Sequence, residues 1–287
     1  MSPVFMRLAA ASSFAFLCAL SLSVSASARP RSPVLKAQVP AELPARPTPS
    51  GYFDLRNGSV GYIPSSVRAG RPAPLLVLLH GARGQGADMV ERFKDEAERR
   101  GVILLAPSSG GRTWDTLLQF NPFYGKFAPL NVIPPNNPPM AFDDDVKRVD
   151  DAVALLVRYV AVDRERIGLL GFSDGASYAL ALGLQNPQLF RTVIALSPGI
   201  ALPTWSKGPQ RVLVAHGTRD RVLPFIISKR DIVPGLKRNG HDVTFRRFDG
   251  GHTIPDDVAA RAVDFFLDGK AGEWPLSRRS ARRPGSG

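Results

Sequence analysis

The densest chemistry in the chain lies in five residues, Gly171-Phe172-Ser173-Asp174-Gly175. A serine hydroxyl is a weak nucleophile until a base takes its proton, so Ser173 needs a histidine and an acid to orient that histidine. The four histidines are His80, His216, His241 and His252, and the acids that stand beyond strand ends as candidate partners for the last of them are Asp220 and Asp249. The plainer role for Ser173 is that of N-cap to a following helix. A pentapeptide this short does not decide between the two, and its surroundings must.

Those surroundings alternate. Gly51 to Pro64 holds two strand-like runs around Asn57-Gly58, a pair suited to a hairpin because both turn positions take positive φ. Leu75 to His80 is a continuous apolar run, as in a strand buried on both faces of a parallel sheet. Gln85 to Arg100 follows with Met89, Val90, Phe93 and Ala97 on one helical stripe. Further strands are expected over 102–106, 166–172, 192–196, 211–216 and 243–248, with helices over 144–160, 174–185, 226–238 and 255–267. Pro234 should break or kink the third of these helices. Strands alternating with helices after a hairpin predict an α/β fold, with a mostly parallel central sheet and helices on both faces.

Ligands of such sheets sit beyond the carboxyl ends of the strands. Ser173, Asp220 and His252 each fall just past a different strand, in the chain order serine, acid, histidine. His80 and His216 also end strands but precede glycine and read as structural positions. His241 lies at the opposite edge, which leaves His252 as the base. Asp249 is a weaker competitor to Asp220 because it is so close in sequence to His252.

The segments LLHGARG, GRTWD, GFSDGASYAL, HGTRDRVLP and GGHTIP, spread from about Leu75 to Leu267, together resemble the phospholipase/carboxylesterase group of the α/β-hydrolase superfamily. That resemblance implies ester hydrolysis with Ser173, Asp220 and His252 as a catalytic triad. It also implies an oxyanion hole made by the backbone N–H groups of Ala82 and Asp174. An acidic residue directly after the nucleophile departs from the glutamine common in the group. A carboxylate facing the substrate would oppose a developing oxyanion, so the side chain of Asp174 must point away.

Composition bounds the rest. Arg7, an apolar run from Leu8 to about Val24, and Ala26-Ser27-Ala28 have the form of a secretory signal peptide cleaved near Ala28. This predicts a periplasmic or secreted protein, an uncleaved anchor being the alternative. The single cysteine, Cys18, lies inside that segment, so the mature chain would have no disulfide, thiol nucleophile or thiolate metal site. Loss of Arg7 leaves 36 of the 37 basic residues against 25 acidic ones. This excess favours an anionic envelope surface as a partner. No nucleic-acid motif, dinucleotide loop or close histidine–carboxylate spacing is present, so neither nucleic acid nor a cofactor nor a metal is expected.

The domain plan is a signal peptide over 1–28, a proline-rich linker over 29–50, a catalytic domain over 51–270 and a basic tail over 271–287. Gln119 to Phe142 holds six prolines and five aromatic residues and leaves from the active-site edge. It is either a lid or binding loop, with Phe123, Tyr124 and Trp114 lining a substrate pocket, or a surface loop pinned by its aromatics. Three functions follow: a serine esterase on small-molecule or lipid esters, an acyltransferase to envelope glycans on the same triad, or a silent relative that binds polyanions.

Overall fold

The computed structural model describes residues 33–41, 50–115, 144–200 and 209–269. The expected signal peptide, the basic tail, and the loop over 119–142 with Phe123 and Tyr124 lie outside the described residues. Among these residues an eight-stranded sheet has the order β1-β2-β4-β3-β5-β6-β7-β8. β1 (Gly51–Asp54), β2 (Val60–Ile63) and β4 (Ile103–Ala106) pair antiparallel in sequence. β3 (Ala73–Leu79), β4, β5 (Val162–Phe172), β6 (Thr192–Leu196), β7 (Arg211–Gly217) and β8 (Asp242–Phe248) run parallel. This is the α/β-hydrolase arrangement: a mostly parallel sheet with an antiparallel start. Asn57 and Gly58 take positive φ in the turn between β1 and β2, as the sequence predicts.

Helices cover both faces, which is why β3 is apolar at every position. Leu75, Val77 and Leu79 face one core with Val146, Val149, Val153 and Leu156 of α2 (Asp144–Leu156) and with Ala179 and Leu182 of α3 (Asp174–Gly183). Leu76 and Leu78 face the other core, with Val90, Phe93 and Ala97 of α1 (Gly86–Arg100) and Val263 and Phe266 of α6 (Asp256–Asp268). Each fully buried leucine or phenylalanine contributes about 1.5–3 kcal/mol. The two cores therefore fix the strand ends that carry the chemistry.

Three elements differ from expectation. α2 ends at Leu156 rather than Val160, because its last turn tightens: Tyr159 N–H reaches back three residues to Leu156 O. The expected helix over 226–238 is a short α4 (Phe225–Ile227), a π-helical turn over Ser228–Ile232, and α5 (Val233–Arg238). Pro234 supplies no N–H and crowds the carbonyl four residues back, so the widened turn absorbs the mismatch without a break. Finally, residues 33–41, in the stretch read as a linker, lie against the domain. The Asn186 side chain accepts from Leu35 N–H and donates to Pro33 O, while Asp150 accepts from the amides of Lys36 and Ala37. Buried Leu35 joins the first core. No helix among the described residues is long and apolar enough to cross a membrane.

Candidate active site

Registers across the parallel strands bring their carboxyl ends level: Leu79 opposite Gly171, Phe172 opposite Leu196, Gly217 opposite Phe248. Ser173 follows β5 directly at φ 57°, ψ −122°, a conformation costly for any residue with a Cβ. Its N–H donates to Leu196 O and its carbonyl accepts from Ala176 and Ser177, so the turn is held from both sides. Gly171 and Gly175 are required here. A Cβ on Gly171 would collide with the Gly175 carbonyl, and one on Gly175 with the carbonyls of Leu79 and His80. Ser173 stands at the N-cap position of α3, yet its hydroxyl caps no amide.

The hydroxyl is instead 2.8 Å from Nε2 of His252, and His252 Nδ1 is 2.6 Å from Oδ2 of Asp220. A carboxylate oxygen accepts, so Nδ1 carries the proton and Nε2 is the bare lone pair facing the serine. The other carboxylate oxygen, Oδ1, accepts from the amides of Val222 and Leu223, each at 2.9 Å. The Asp220 side chain is fully buried, whereas 14% of the His252 side chain meets solvent. Phe172 packs its ring against the imidazole, with centroids 4.8 Å apart.

The loops after β7 and β8 are tied together, which brings Asp220 to His252. Thr218 N–H donates to Phe248 O, and Arg219 N–H to Gly250 O. Gly217 permits the approach: a Cβ there would lie 2.5 Å from the carbonyl oxygens of Gly250 and Gly251. Asp249, the rival acid, does not serve the imidazole and pairs with Arg219 at 3.0 Å. His241 lies at the other edge of the sheet, where Nδ1 accepts from Gln210 N–H.

On the far side of Ser173, the loop after β3 runs past its side chain; a Cβ on Gly81 would lie 3.2 Å from the Cβ of Ser173. Ala82 follows in that loop and is exposed. The next residue, Arg83, takes φ 63° and donates its N–H to Arg112 O at 2.6 Å. His80 is buried, and burial pushes its pKa below the ordinary histidine value. Its Nδ1–H donates to Gly81 O and its Nε2 accepts from Ser109 N–H, so it splints the loops after β3 and β4.

Asp174 also finds its partner there. Its Oδ2 accepts from the hydroxyl of Thr113 at 2.6 Å, drawing the carboxylate toward the loop after β4. Thr113 was not among the expected site residues. It lies 61 positions away in the sequence, and no local pattern couples the two. Trp114, expected to line a pocket, is completely buried. Its indole stacks on Tyr178 of α3 at 4.8 Å and donates to His80 O, so it packs beneath the site as part of the core. No group of three or more histidines, cysteines or acids with metal-binding geometry occurs among the described residues.

Residues 66–267 match the family Phospholipase/Carboxylesterase, and the chain belongs to that family. No curated protein sequence matches it. Among solved structures, esterase PE8 superposes with a TM-score of 0.54 at 26% identity, covering 72% of this chain and 96% of that one. A phospholipase/carboxylesterase from Dyadobacter fermentans superposes at 0.52 and 21% identity, covering 77% and 97% respectively. The S-formylglutathione hydrolase from Agrobacterium tumefaciens shares the fold at 0.52 and 16% identity, over 79% of this chain and 98% of that one. The protein is therefore an α/β-hydrolase of the esterase and phospholipase type.

Proposed function

We propose that the protein is an exported serine esterase that cleaves carboxylic esters through Ser173, His252 and Asp220. The observation that carries this reading is the unbroken relay from the Ser173 hydroxyl through His252 to Asp220, at 2.8 and 2.6 Å. Nε2 takes the proton as Oγ of Ser173 attacks the ester carbonyl. Asp220 holds the imidazole in the Nδ1–H tautomer and stabilises the cation that forms. His252 then passes that proton to the departing alcohol, leaving an acyl-serine. A water deprotonated by the same nitrogen attacks the acyl carbon, releasing the acid and returning the proton to Ser173.

The tetrahedral oxyanion is received by the backbone N–H groups of Ala82 and Asp174, with the N-terminal dipole of α3 behind the second. Thr113 supports this arrangement by holding the Asp174 carboxylate, so that its amide and not its charge meets the substrate. Family membership supports the ester class, and the Arg7 to Ala28 segment supports export.

Fluorophosphonate labelling tests the core of the reading. Native protein should be labelled at Ser173 and should hydrolyse p-nitrophenyl esters; Ser173→Ala should do neither. Equal labelling of both proteins would sink the proposal. N-terminal sequencing of the exported form should begin just after Ala28.

A further inference from the structure

Behind the acid of the relay lies a second, buried histidine. His216 is the penultimate residue of β7 and has no solvent exposure. Its Nε2 lies 2.7 Å from Leu223 O and 3.3 Å from Oδ2 of Asp220, the same oxygen that receives His252. Its Nδ1 lies 2.7 Å from the hydroxyl of Ser228, the buried first residue of the π-helical turn.

Hydrogen-bond chemistry fixes the protons. A carbonyl only accepts, so Nε2 of His216 carries the hydrogen and donates it to Leu223 O, with Asp220 Oδ2 beside it at 3.3 Å. Nδ1 is then the bare nitrogen and accepts from the Ser228 hydroxyl. Burial, the largest influence on this group, pushes the pKa of His216 down and keeps the ring in that neutral form.

Resting on the esterase reading above, we infer that His216 is a positioning residue: with Ser228 it fixes Oδ2 of Asp220 so that this oxygen holds His252 in line with Ser173. Asp220 thus accepts three N–H hydrogen bonds and has the polar edge of His216 beside it. The amides of Val222 and Leu223 clamp Oδ1, while His252 holds Oδ2 at 2.6 Å and the His216 N–H stands 3.3 Å from the same oxygen. Without the His216 N–H, the carboxylate can turn about its clamped oxygen, and its charge falls more heavily on His252. The first change misdirects Nε2. The second keeps Nε2 protonated to a higher pH, where it is no base. The groups around His252 are Asp220 and His216 from β7 and its loop, the Arg219–Asp249 pair spanning the two loops, and the uncharged Ser173 and Phe172 from β5 and the turn after it.

The full chain and its His216→Phe, His216→Gln and Ser228→Ala variants distinguish this from a packing role. Each is assayed for melting temperature, for kcat and KM on a p-nitrophenyl ester across pH, and for the rate of fluorophosphonate labelling. His216→Phe keeps a ring but loses the donor. It should lower kcat and labelling about tenfold with KM within twofold, and move the acid limb of kcat/KM to higher pH. Gln places a donor near the position of Nε2 and should restore most of the loss. Ser228→Ala frees the other tautomer and should cost about threefold.

Equal losses in Phe and Gln with an unmoved acid limb would mean packing alone and overturn the inference. So would a folded His216→Phe with unchanged kcat. Should His216→Phe fail to fold, Ser228→Ala decides: wild-type kcat and acid limb in that variant would overturn it. Activity surviving in Ser173→Ala would instead overturn the esterase reading itself.

Discussion

His80-Gly81 follows β3 and His216-Gly217 closes β7, and both strands run on into a loop beside Ser173, yet the two loops have different partners. After β3, His80 donates to the carbonyl of the next residue and accepts from Ser109, so its imidazole splints backbone. After β7, His216 sits at the equivalent place, but its ring meets Asp220 and Ser228. Both rings are buried, and both have lowered pKa values for the same reason. What separates them is the partner that distant chain segments supply. Beside the first lie Trp114 and Ser109, from the loop after β4. Beside the second lies an acid four residues on, held by the close crossing of two glycine-rich loops. One loop is tied to the loop after β4; the other holds Asp220 against His252.

The sharpest break of this comparison is Asp220→Asn. It should lower kcat by about ten-thousandfold with little change in melting temperature, because the amide favours the wrong tautomer of His252. Measured esterase activity within tenfold of wild type would show that the β7 loop does not supply the catalytic acid.

Next comes Gly217→Ala against Gly81→Ala. The added methyl meets two backbone carbonyl oxygens at 2.5 Å at the first site, but at the second the nearest atoms are the Ser173 Cβ at 3.2 Å, the Phe172 ring at 3.4 Å and the Phe172 carbonyl oxygen at 3.5 Å. Overpacking against immovable backbone costs about 1–3 kcal/mol, which in a domain of this size lowers the melting temperature by roughly 2–4 °C per kcal/mol. Calorimetry should find Gly217→Ala the less stable of the two. The reverse order would mean that the crossing of the β7 and β8 loops is not tight.

Thr113→Val probes the loop after β4 alone. It removes the hydroxyl that holds Asp174 while preserving shape, and should reduce kcat/KM roughly tenfold as the carboxylate swings free. An unchanged rate would leave the orientation of Asp174 without kinetic consequence.

The smallest effect is the pH dependence of stability. Both His80 and His216 have folded-state pKa values below the ordinary 6.5, so the unfolded chain binds more protons as pH falls through that value. Their contribution is complete above about pH 6.5 and is lost progressively below it. Melting temperature should therefore drop between pH 7 and 5, and replacing either histidine with glutamine should flatten that slope. A steeper slope in the variants would contradict the burial argument.

Much of this was legible in the residues themselves. The apolar run of β3, the stripe of α1 and the alternation of strand and helix follow from periodicity, because burial on one face or two leaves its mark on consecutive side chains. Their ends place Ser173, Asp220 and His252 along one edge of the sheet, since strand polarity is a property of the chain. Gly171 and Gly175 flank Ser173 in the sequence, but the carbonyls that leave no room for a Cβ there come from the fold. Only the folded chain decided that His252 meets Asp220 and not Asp249, that Asp174 turns to Thr113, that Trp114 packs in the core, and that His216 backs the acid. Each of these depends on a contact between segments brought together by packing. The hydrogen bonds that choose a partner act over about 3 Å, a range at which separation along the sequence carries no information.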